Sequence, residues 1–366
     1  MHALTFMPGL LASANEFAGP VLFELGAYWP FYAGFTLFVL AVLALDLGVF
    51  HRQAHEVSYR EAAVWSAVWA VLAALFGAGF WWWLQWKLPQ LGAETLQAAG
   101  YAADPRAVAN RLTLEFFAGY VIEQSLSVDN VFVFVVILQY FAVPAKYQHR
   151  VLFYGILGAV VCRAIFIALG ALLLQYAAVV WVFGAFLGLT GVKMLLPQEE
   201  KKDLTRNPVL RAIRRVLPVT QDFYGERFLV RVQGVRHATP LLVALLVIEA
   251  TDIIFAVDSV PAIYAVTREP LVVFTSNIFA ILGLRALYFL LAGAMGTFHL
   301  LHFGLGVVLM FVGAKMLLPI WGVHVPIGLS LAVICGVIGA SVGLSLLFPK
   351  REGAAAAGDG STDGDS

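Results

Sequence analysis

Two long apolar stretches of this sequence carry carboxyl groups near their middle. They are residues 121–140, VIEQSLSVDNVFVFVVILQY, and residues 241–266, LLVALLVIEATDIIFAVDSVPAIYAV. Both are apolar enough to cross a lipid bilayer, where a charged side chain at the helix centre costs about 2.5–3.5 kcal/mol on the insertion scale. Acids retained at that cost indicate a functional site inside the membrane.

The side chains of these stretches offer oxygen atoms of three chemical types: carboxylate, amide and hydroxyl. Hard divalent cations such as Mn²⁺, Mg²⁺ and Ca²⁺ prefer such ligands, and no Cys or His accompanies them, so copper and zinc are not favoured. Asp46 and Ser127 are accessory candidates. The pattern predicts a metal site with the candidate ligands Glu123, Asp129, Asn130, Glu249, Asp252, Asp258, Ser259 and Asn277.

Helical spacing predicts which side chains of the second stretch share a face. Glu249, Asp252 and Ser259 fall within a sector of about 60°, whereas Asp258 lies outside it. Pro261 cannot donate a hydrogen bond to the carbonyl group four residues earlier. We therefore expect this helix to bend or open beside Asp258, which frees a carbonyl oxygen as a further ligand.

The mid-membrane charges do not balance. Five acids face two arginines, Arg163 and Arg285, which leaves three carboxyl groups that must be protonated or neutralised by a bound cation. Alternatively, the acids pair with the arginines and only hold the helices together. For the arginines themselves, both ion pairing and gating remain open at this stage.

The composition places the chain among polytopic membrane proteins. Of its 366 residues, 61% are hydrophobic and 13% are charged, and the mean hydropathy is +0.85. The net charge is zero, so nothing in it points to a nucleic-acid partner. We expect no enzymatic activity: an intramembrane aspartyl protease would use a dyad such as Asp129 and Asp258, but the Gly-x-Gly-Asp arrangement is absent before Asp258.

Hydropathy predicts about nine transmembrane helices, since about 20 apolar residues cross a bilayer. The spans are 29–50, 62–84, 113–138, 150–174, 178–196, 238–263, 271–292, 298–318 and 326–348. The loop at 197–237 carries nine basic residues and is predicted to be cytoplasmic, which places the N-terminus outside and the C-terminus inside.

Two segments of the chain resemble each other. SVDNVFV (127–133) resembles AVDSVPA (256–262), and LTGVKMLLP (189–197) resembles FVGAKMLLP (311–319). Each predicted unit has three spans, so the two units must cross the membrane in opposite directions, which is a transporter architecture. The predicted organisation is an exterior lead-in (1–28), two spans with an exterior loop (29–112), the first three-helix repeat (113–197), a basic cytoplasmic loop (198–237), the second repeat (238–319), a last span (320–349) and a disordered cytoplasmic tail (350–366).

The motifs EQSLSVDNVFVF, ATDIIFAVDSVPAIYAV and FTSNIFAILGLRALYFLL resemble the signature segments of the TerC/Alx family of bacterial integral membrane proteins. The resemblance covers roughly residues 29–348 and implies an inner-membrane protein of the larger LysE-type transporter group. Members are associated with tellurium resistance, manganese efflux at alkaline pH and metal supply to exported proteins. The family's metal-handling acids match Glu123, Asp129, Asp252 and Asp258.

These observations predict an inner-membrane transporter of a divalent metal ion, with Mn²⁺ efflux as the leading interpretation and exchange of the metal against protons as a further hypothesis. The ion is then a substrate, and no tightly bound cofactor is expected. The alternative is a membrane metal-binding scaffold that supplies metal to exported proteins without net transport. The expected partners are the lipid bilayer, the metal ion and, for the scaffold, secretion machinery or exported metalloproteins. Because the site is rich in acids, tellurite, an oxyanion, is not favoured as a direct substrate.

Overall fold

The computed structural model describes residues 20–45, 58–173, 176–196, 218–292, 300–321, 323 and 325–348, apart from the side chains of Asp129 and Ala177. Within these ranges the chain is a helical bundle with one β-hairpin, so the predicted all-α membrane fold is confirmed. The helices are α1 (Trp29–Leu45), α2 (Tyr59–Leu91), α3 (Ala93–Ala98), α4 (Pro105–Tyr140), α5 (Ala145–Leu173), α6 (Ala177–Leu195), α7 (Pro240–Tyr264), α8 (Pro270–Leu282), α9 (Leu284–Ala292), α10 (Leu301–Leu317) and α11 (Ile327–Leu347), and a 3₁₀ turn (Leu318–Trp321) follows α10.

The described helices support seven or eight membrane crossings. Seven are long and apolar enough to span, and α8 and α9 add an eighth if they count as one span bent by 40° at Gly283. The remaining predicted span, 29–50, corresponds to α1. This helix is described over only 17 residues because 46–50 lie outside the described ranges. The count of nine therefore stays a prediction. So do the orientation of the termini and the disordered tail (350–366), which lies outside the described residues.

Local sequence signals explain where several helices begin. The side chain of Ser58 accepts a hydrogen bond from the backbone N–H of Glu61 at 3.3 Å, and Asp104 accepts one from Arg106 at 3.0 Å. Pro240 and Pro270 occupy the first positions of α7 and α8, where a missing N–H removes no helical hydrogen bond.

The predicted opening of the helix beside Asp258 is not present. Helix α7 continues through Pro261 to Tyr264 without interruption. Pro261 lies only three residues before the end of α7, so few helical hydrogen bonds follow it. The break occurs instead between α8 and α9, where Gly283 lowers the cost of a bend.

Aromatic rings hold together the helices that carry the candidate site. Phe35 of α1 lies 5.4 Å from Phe76 of α2, and Phe76 lies 4.7 Å from Phe279 of α8, measured between ring centroids. Phe116 of α4 meets Phe279 edge-on at 6.3 Å. These contacts fix α4 and α8 against each other, and both helices contribute to the site described below.

Helices α6 and α10 pack with their backbones in close contact. A Cβ atom on Gly191 would lie 2.6 Å from the carbonyl oxygen of Gly306, and one on Gly313 would lie 2.6 Å from the carbonyl oxygen of Gly184. The two glycines of α10 follow the two glycines of α6 at the same distance in sequence, since 184 and 191 each increase by 122 to give 306 and 313. The two pairs therefore join equivalent positions of the two helices, and this antiparallel interface is symmetric. Such packing is what an inverted repeat requires, although the repeat as a whole stays a prediction.

The basic loop predicted at 198–237 ends in a β-hairpin that the sequence analysis missed. Strands β1 (Leu229–Val232) and β2 (Val235–Ala238) pair antiparallel, with Val230 opposite His237. Gln233 and Gly234 both have positive φ, 51° and 83°, as a type I′ turn demands. Strands of four residues carry too little alternation to be recognised in a sequence.

Candidate metal centre

Four helices deliver polar side chains to one buried place in the bundle. Glu123 comes from α4, Arg163 from α5, Asp252 and Ser259 from α7, and Asn277 from α8. Asp252 and Ser259 are seven residues apart, so two helical turns bring them to one face. All five side chains are at most 3% exposed. We call these five residues the central cluster.

One nitrogen atom, Nη1 of Arg163, lies at the middle of the central cluster. It donates to Glu123 Oε1, to Ser259 Oγ at 3.1 Å and to Asn277 Oδ1 at 3.0 Å. The amide nitrogen of Asn277 donates to Glu123 Oε2 at 3.4 Å, and the hydroxyl of Ser127 donates to Glu123 Oε1, also at 3.4 Å. Three oxygen atoms from three helices therefore surround a single positive group.

Asp252 is held more loosely than Glu123. Its Oδ1 lies 3.6 Å from Arg163 Nη2, and neither of its carboxylate oxygens accepts a hydrogen bond. Asp252 and Arg285 also line a small cavity of about 10 Å³, about the space of one water molecule. Asp252 thus has lone pairs available for a further cation, and Arg285 is the second positive group beside it.

The remaining predicted ligands do not join the central cluster. Glu249 is half-buried, and its carboxylate lies against Gly158 of α5, where a Cβ atom would overlap it. Asp258 is half-buried on another side of α7, with Lys193 as an electrostatic partner. Asn130 is buried, and its amide nitrogen makes no hydrogen bond. The side chain of Asp129 and all of Asp46 lie outside the described residues.

As arranged, the described part of the chain contains no group of three His, Cys, Asp or Glu side chains that could hold a metal ion. Two carboxylates, one amide and one hydroxyl meet at the central cluster, and a guanidinium group occupies the position between them. These oxygen atoms are of the types that hard cations prefer, and the positive group that they surround in this structure is the guanidinium of Arg163.

Two buried acids outside the central cluster were missed by the sequence analysis. The first, Glu269, directly precedes α8 and accepts hydrogen bonds from the backbone N–H groups of Leu22 at 3.0 Å and Phe23 at 3.2 Å and from the hydroxyl of Tyr101 at 2.9 Å. Burial raises the pKa of Glu269, and these three hydrogen bonds oppose that shift. The Glu-Pro pair before an apolar stretch was the available signal.

The second missed acid is Glu115, near the start of α4. Its Oε1 accepts a hydrogen bond from Arg111 Nε at 2.9 Å, while its Oε2 is buried and accepts none. The side chain of Arg111 is 51% exposed and that of Glu115 only 2%, so the pair leads from the surface into the protein. The four-residue spacing of Arg111 and Glu115 was visible in the sequence.

The family model that describes integral membrane proteins of the TerC family matches residues 108–353. This range contains every member of the central cluster. The chain therefore belongs to the TerC family and is a multi-pass integral membrane protein.

Curated relatives agree with this assignment. The chain is 50% identical over 321 residues to an uncharacterized membrane protein of Myxococcus xanthus, covering 87% of this chain and 93% of that protein. It is 46% identical over 309 residues, covering 84% and 91%, to a protein of Escherichia coli strain K12 provisionally named membrane-bound redox modulator Alx. The thylakoid membrane protein TERC of Arabidopsis thaliana is 47% identical over 233 residues, covering 63% and 61%. No solved structure matches the chain.

Proposed function

We propose that this protein transports a divalent metal ion, and that this ion is Mn²⁺ leaving the bacterial cytoplasm across the inner membrane. The observation that carries the proposal is the position of Arg163 Nη1, which has oxygen atoms of Glu123, Ser259 and Asn277 around it. A buried point that several helices surround with oxygen atoms is suited to a cation, and the guanidinium group stands there in place of the metal substrate.

The distances indicate what must change when the ion binds. The oxygens of Ser259 and Asn277 lie 3.1 and 3.0 Å from Nη1. Hard divalent ions hold oxygen ligands at about 2.0–2.6 Å, so these oxygens must close in by about 0.5–1 Å as Arg163 leaves. Asp252 accepts no hydrogen bond, so it can supply a further ligand by exchanging its 3.6 Å ion pair with Arg163 for the metal ion.

Arg163 then acts as an internal counter-ion that alternates with the metal substrate. While Arg163 occupies the central cluster, the carboxylates of Glu123 and Asp252 have a positive partner, which reduces the cost of burying them between transport events. In this role Arg163 is a gating residue. Arg285 lies beside Asp252 and is the candidate for the same role toward that acid.

The broken α8–α9 span supports transport as the use of this cluster. Discontinuous membrane helices next to the substrate site are a recurring feature of transporters, because a break provides helix ends and free carbonyl groups that bind substrate and ions. Asn277 precedes the break at Gly283 by six residues, and Arg285 follows it by two.

The acids outside the central cluster are proposed to guide the ion. Glu249 and Asp258 are half-buried on α7, the helix that carries Asp252 and Ser259. Carboxylates along one helix attract a cation without trapping it, provided that they do not converge on one point. Asp129 remains a metal-handling candidate through its match to the family motif.

Exchange against protons completes the proposal. A carboxyl group must lose its proton to bind a metal ion, so metal affinity should fall as the pH falls. Tellurium resistance would follow indirectly from metal balance.

A non-transporting metal scaffold is the second candidate, and one observation favours it. Glu123 and Asp252 meet Arg163 and Arg285, so two acids face two basic groups, and a static ion-pair network would have the same balance. In the scaffold, the ion would bind without crossing the membrane and would pass to exported proteins.

Flux measurements with the full chain in proteoliposomes separate the two candidates. We expect the wild type to carry Mn²⁺ across the membrane and the Asp252→Asn variant to lose this flux. Glu226→Gln, which alters a half-exposed acid paired with Arg150 outside the central cluster, should keep it. Binding of Mn²⁺ without flux in the wild type would favour the scaffold, and neither binding nor flux would refute both.

A further inference from the structure

The face of α4 that bears Glu123 carries a second buried acid, Glu115, about two helical turns closer to the surface. Glu115, Gly119 and Glu123 follow one another at intervals of four residues, so they lie along one side of the helix. Each interval is one turn, about 6 Å, which puts about 12 Å between the two acids along the helix axis. The loop charges predict that the Glu115 end of α4 faces the exterior.

A hydroxyl group of α8 lies against Gly119, the residue midway between the two acids on α4. A Cβ atom on Gly119 would lie 2.7 Å from Ser276 Oγ, so the absence of a side chain at position 119 makes room for this hydroxyl. Ser276 Oγ donates only to the carbonyl oxygen of Val273 at 3.2 Å, a bond within its own helix. The next residue, Asn277, is the one that hydrogen-bonds Glu123. The side chains therefore follow the order Glu115, Ser276, Asn277, Glu123 from the surface to the centre.

Glu115 has the features of a group that exchanges protons with the exterior. It is 1% exposed, yet it is joined to the half-exposed guanidinium of Arg111, and its second carboxylate oxygen accepts no hydrogen bond. An oxygen without a donor is a place where a proton can bind. The titratable and polar groups that act on this carboxyl are Arg111 on α4, Lys315 on α10, Tyr101 in the turn before α4, and Thr267 and Glu269 between α7 and α8.

We propose that Glu115 is the exterior proton-exchange group of this protein and that Ser276 connects it to the central cluster. An exterior proton binds Glu115 Oε2 and converts the carboxylate to the neutral acid. The acid then gives this proton to Ser276 Oγ, the Ser276 hydroxyl passes its own hydrogen on to the carboxylate of Glu123 as the metal ion leaves, and Glu115 returns to the carboxylate form. One proton is thus taken up at the exterior for each proton bound at the central cluster. This assignment deepens the proposed metal–proton exchange and rests on it.

In this proposal, Glu115 and Ser276 are not needed for metal binding itself. Glu115 lies two turns from Glu123, and the hydrogen-bond partners described for Glu115 and Ser276 are Arg111 and Val273, neither of which belongs to the central cluster. Changing them should therefore alter proton movement and leave metal affinity in place. A purely structural Arg111–Glu115 ion pair would instead affect stability alone.

The test uses the full chain in proteoliposomes and follows Mn²⁺ flux together with proton movement, reported by a pH-sensitive dye. Glu115→Gln should lower Mn²⁺-coupled proton movement by about 100-fold or more, the typical loss on removing a positioned acid–base group. It should also abolish the dependence of flux on exterior pH while equilibrium Mn²⁺ binding persists. Ser276→Ala should show a smaller loss of the same kind, and Glu115→Asp should restore part of the proton movement.

Thr275→Val is the matched control, because Thr275 is a buried hydroxyl on the same helix that donates to its own backbone at Leu271. It should behave like the wild type. Wild-type proton movement and pH dependence in Glu115→Gln would overturn the assignment and leave the proposed transport intact.

A wild type without Mn²⁺ flux would refute the proposed transport, and Glu115 would then be judged by infrared difference spectroscopy during steps of exterior pH. A carboxyl band that titrates in the wild type and is missing in Glu115→Gln supports the assignment. Identical carboxyl bands in the difference spectra of the wild type and Glu115→Gln would overturn the assignment.

Discussion

Arg163 and Glu123 form an ion pair in which neither side chain is more than 1% exposed, in the part of the chain predicted to lie within the membrane. The same guanidinium nitrogen also donates to Ser259 and Asn277, so the pair joins four helices at one point. A buried charge is costly unless it is paired and hydrogen-bonded, and here both conditions are met for Arg163 and Glu123.

Replacing Arg163 with Met should strongly destabilise the metal-free protein. The substitution leaves Glu123 and Asp252 buried without a positive partner, and breaking a buried pair in this way costs about 3–5 kcal/mol. Mn²⁺ should restore much of the lost stability, because a cation can then occupy the vacated position. Thermal unfolding in detergent with and without Mn²⁺ measures both effects.

Arg150→Met is the control for this experiment. Arg150 pairs with Glu226 at 2.5 Å, but both side chains are about 40% exposed, so the loss should be about 1 kcal/mol or less and independent of Mn²⁺. Equal losses in the two variants, or no response of Arg163→Met to Mn²⁺, would contradict the role given to Arg163.

The two acids of the central cluster should respond differently to neutralisation. Glu123→Gln removes the charge that holds Arg163 directly, so the variant should be poorly folded. Asp252→Asn removes a carboxylate that accepts no hydrogen bond, so the variant should stay monodisperse while its affinity for Mn²⁺ falls. Size-exclusion profiles and calorimetric titration with Mn²⁺ measure the two outcomes. Well-folded Asp252→Asn with wild-type affinity would remove Asp252 from the site.

Much of this fold could be predicted from the sequence because a bilayer imposes strong rules. Each predicted span overlaps at least one described helix, and the span 271–292 corresponds to two, α8 and α9. Backbone groups cannot be left unpaired in lipid, so apolar stretches of this length form helices. The bend at Gly283 and the hairpin at 229–238 were missed, because a single Gly is often tolerated within a helix and four-residue strands carry little periodicity. Helix α4 begins at Pro105, eight residues before the predicted span, because its first turns are polar.

The candidate site was predictable in composition but not in geometry. Spacing places Asp252 and Ser259 on one face, and both reach the central cluster as expected. Glu249 was expected on the same face, yet its carboxylate lies against Gly158. Which acid of α7 reaches the central cluster depends on the side chains of the neighbouring helix. Glu249 turns toward α5 because Gly158 leaves room for its carboxylate, and residue spacing along α7 alone cannot predict that.

The close packing of α6 and α10 should make their glycines intolerant of substitution. Gly313→Ala would place a methyl group 2.6 Å from the backbone of α6, so we expect a destabilisation of about 1–3 kcal/mol. Gly339→Ala in α11 meets nothing within 4 Å and should be neutral or stabilising by up to about 1 kcal/mol. Thermal unfolding of both variants tests this, and equal tolerance of the two substitutions would refute the packing described for α6 and α10.

Glu269 should make stability depend on pH. Burial raises its pKa in the folded protein above the ordinary value of 4.5, so between these two pKa values the folded state holds a proton that the unfolded state releases. The free energy of unfolding should therefore decrease as the pH rises from 4.5 through the raised pKa and should not change further on this account.

Two variants test the assignment of this slope to Glu269. Glu269→Gln should remove the decrease, as seen by unfolding temperatures measured across the range. Tyr101→Phe deletes the 2.9 Å hydrogen bond that favours the ionised form, so the decrease should extend to higher pH. A slope that is the same in the wild type and in Glu269→Gln would show that another group is responsible.

The most direct test of the central claim is an experimental structure with Mn²⁺ bound, in which anomalous scattering locates the ion. We expect the ion at the position now held by Arg163 Nη1, about 2.0–2.6 Å from oxygen atoms of Glu123, Ser259 and Asn277, with the guanidinium group moved away. An ion bound elsewhere, with Arg163 still hydrogen-bonded to Glu123 and Asn277, would contradict the claim that Arg163 stands in the place of the metal substrate.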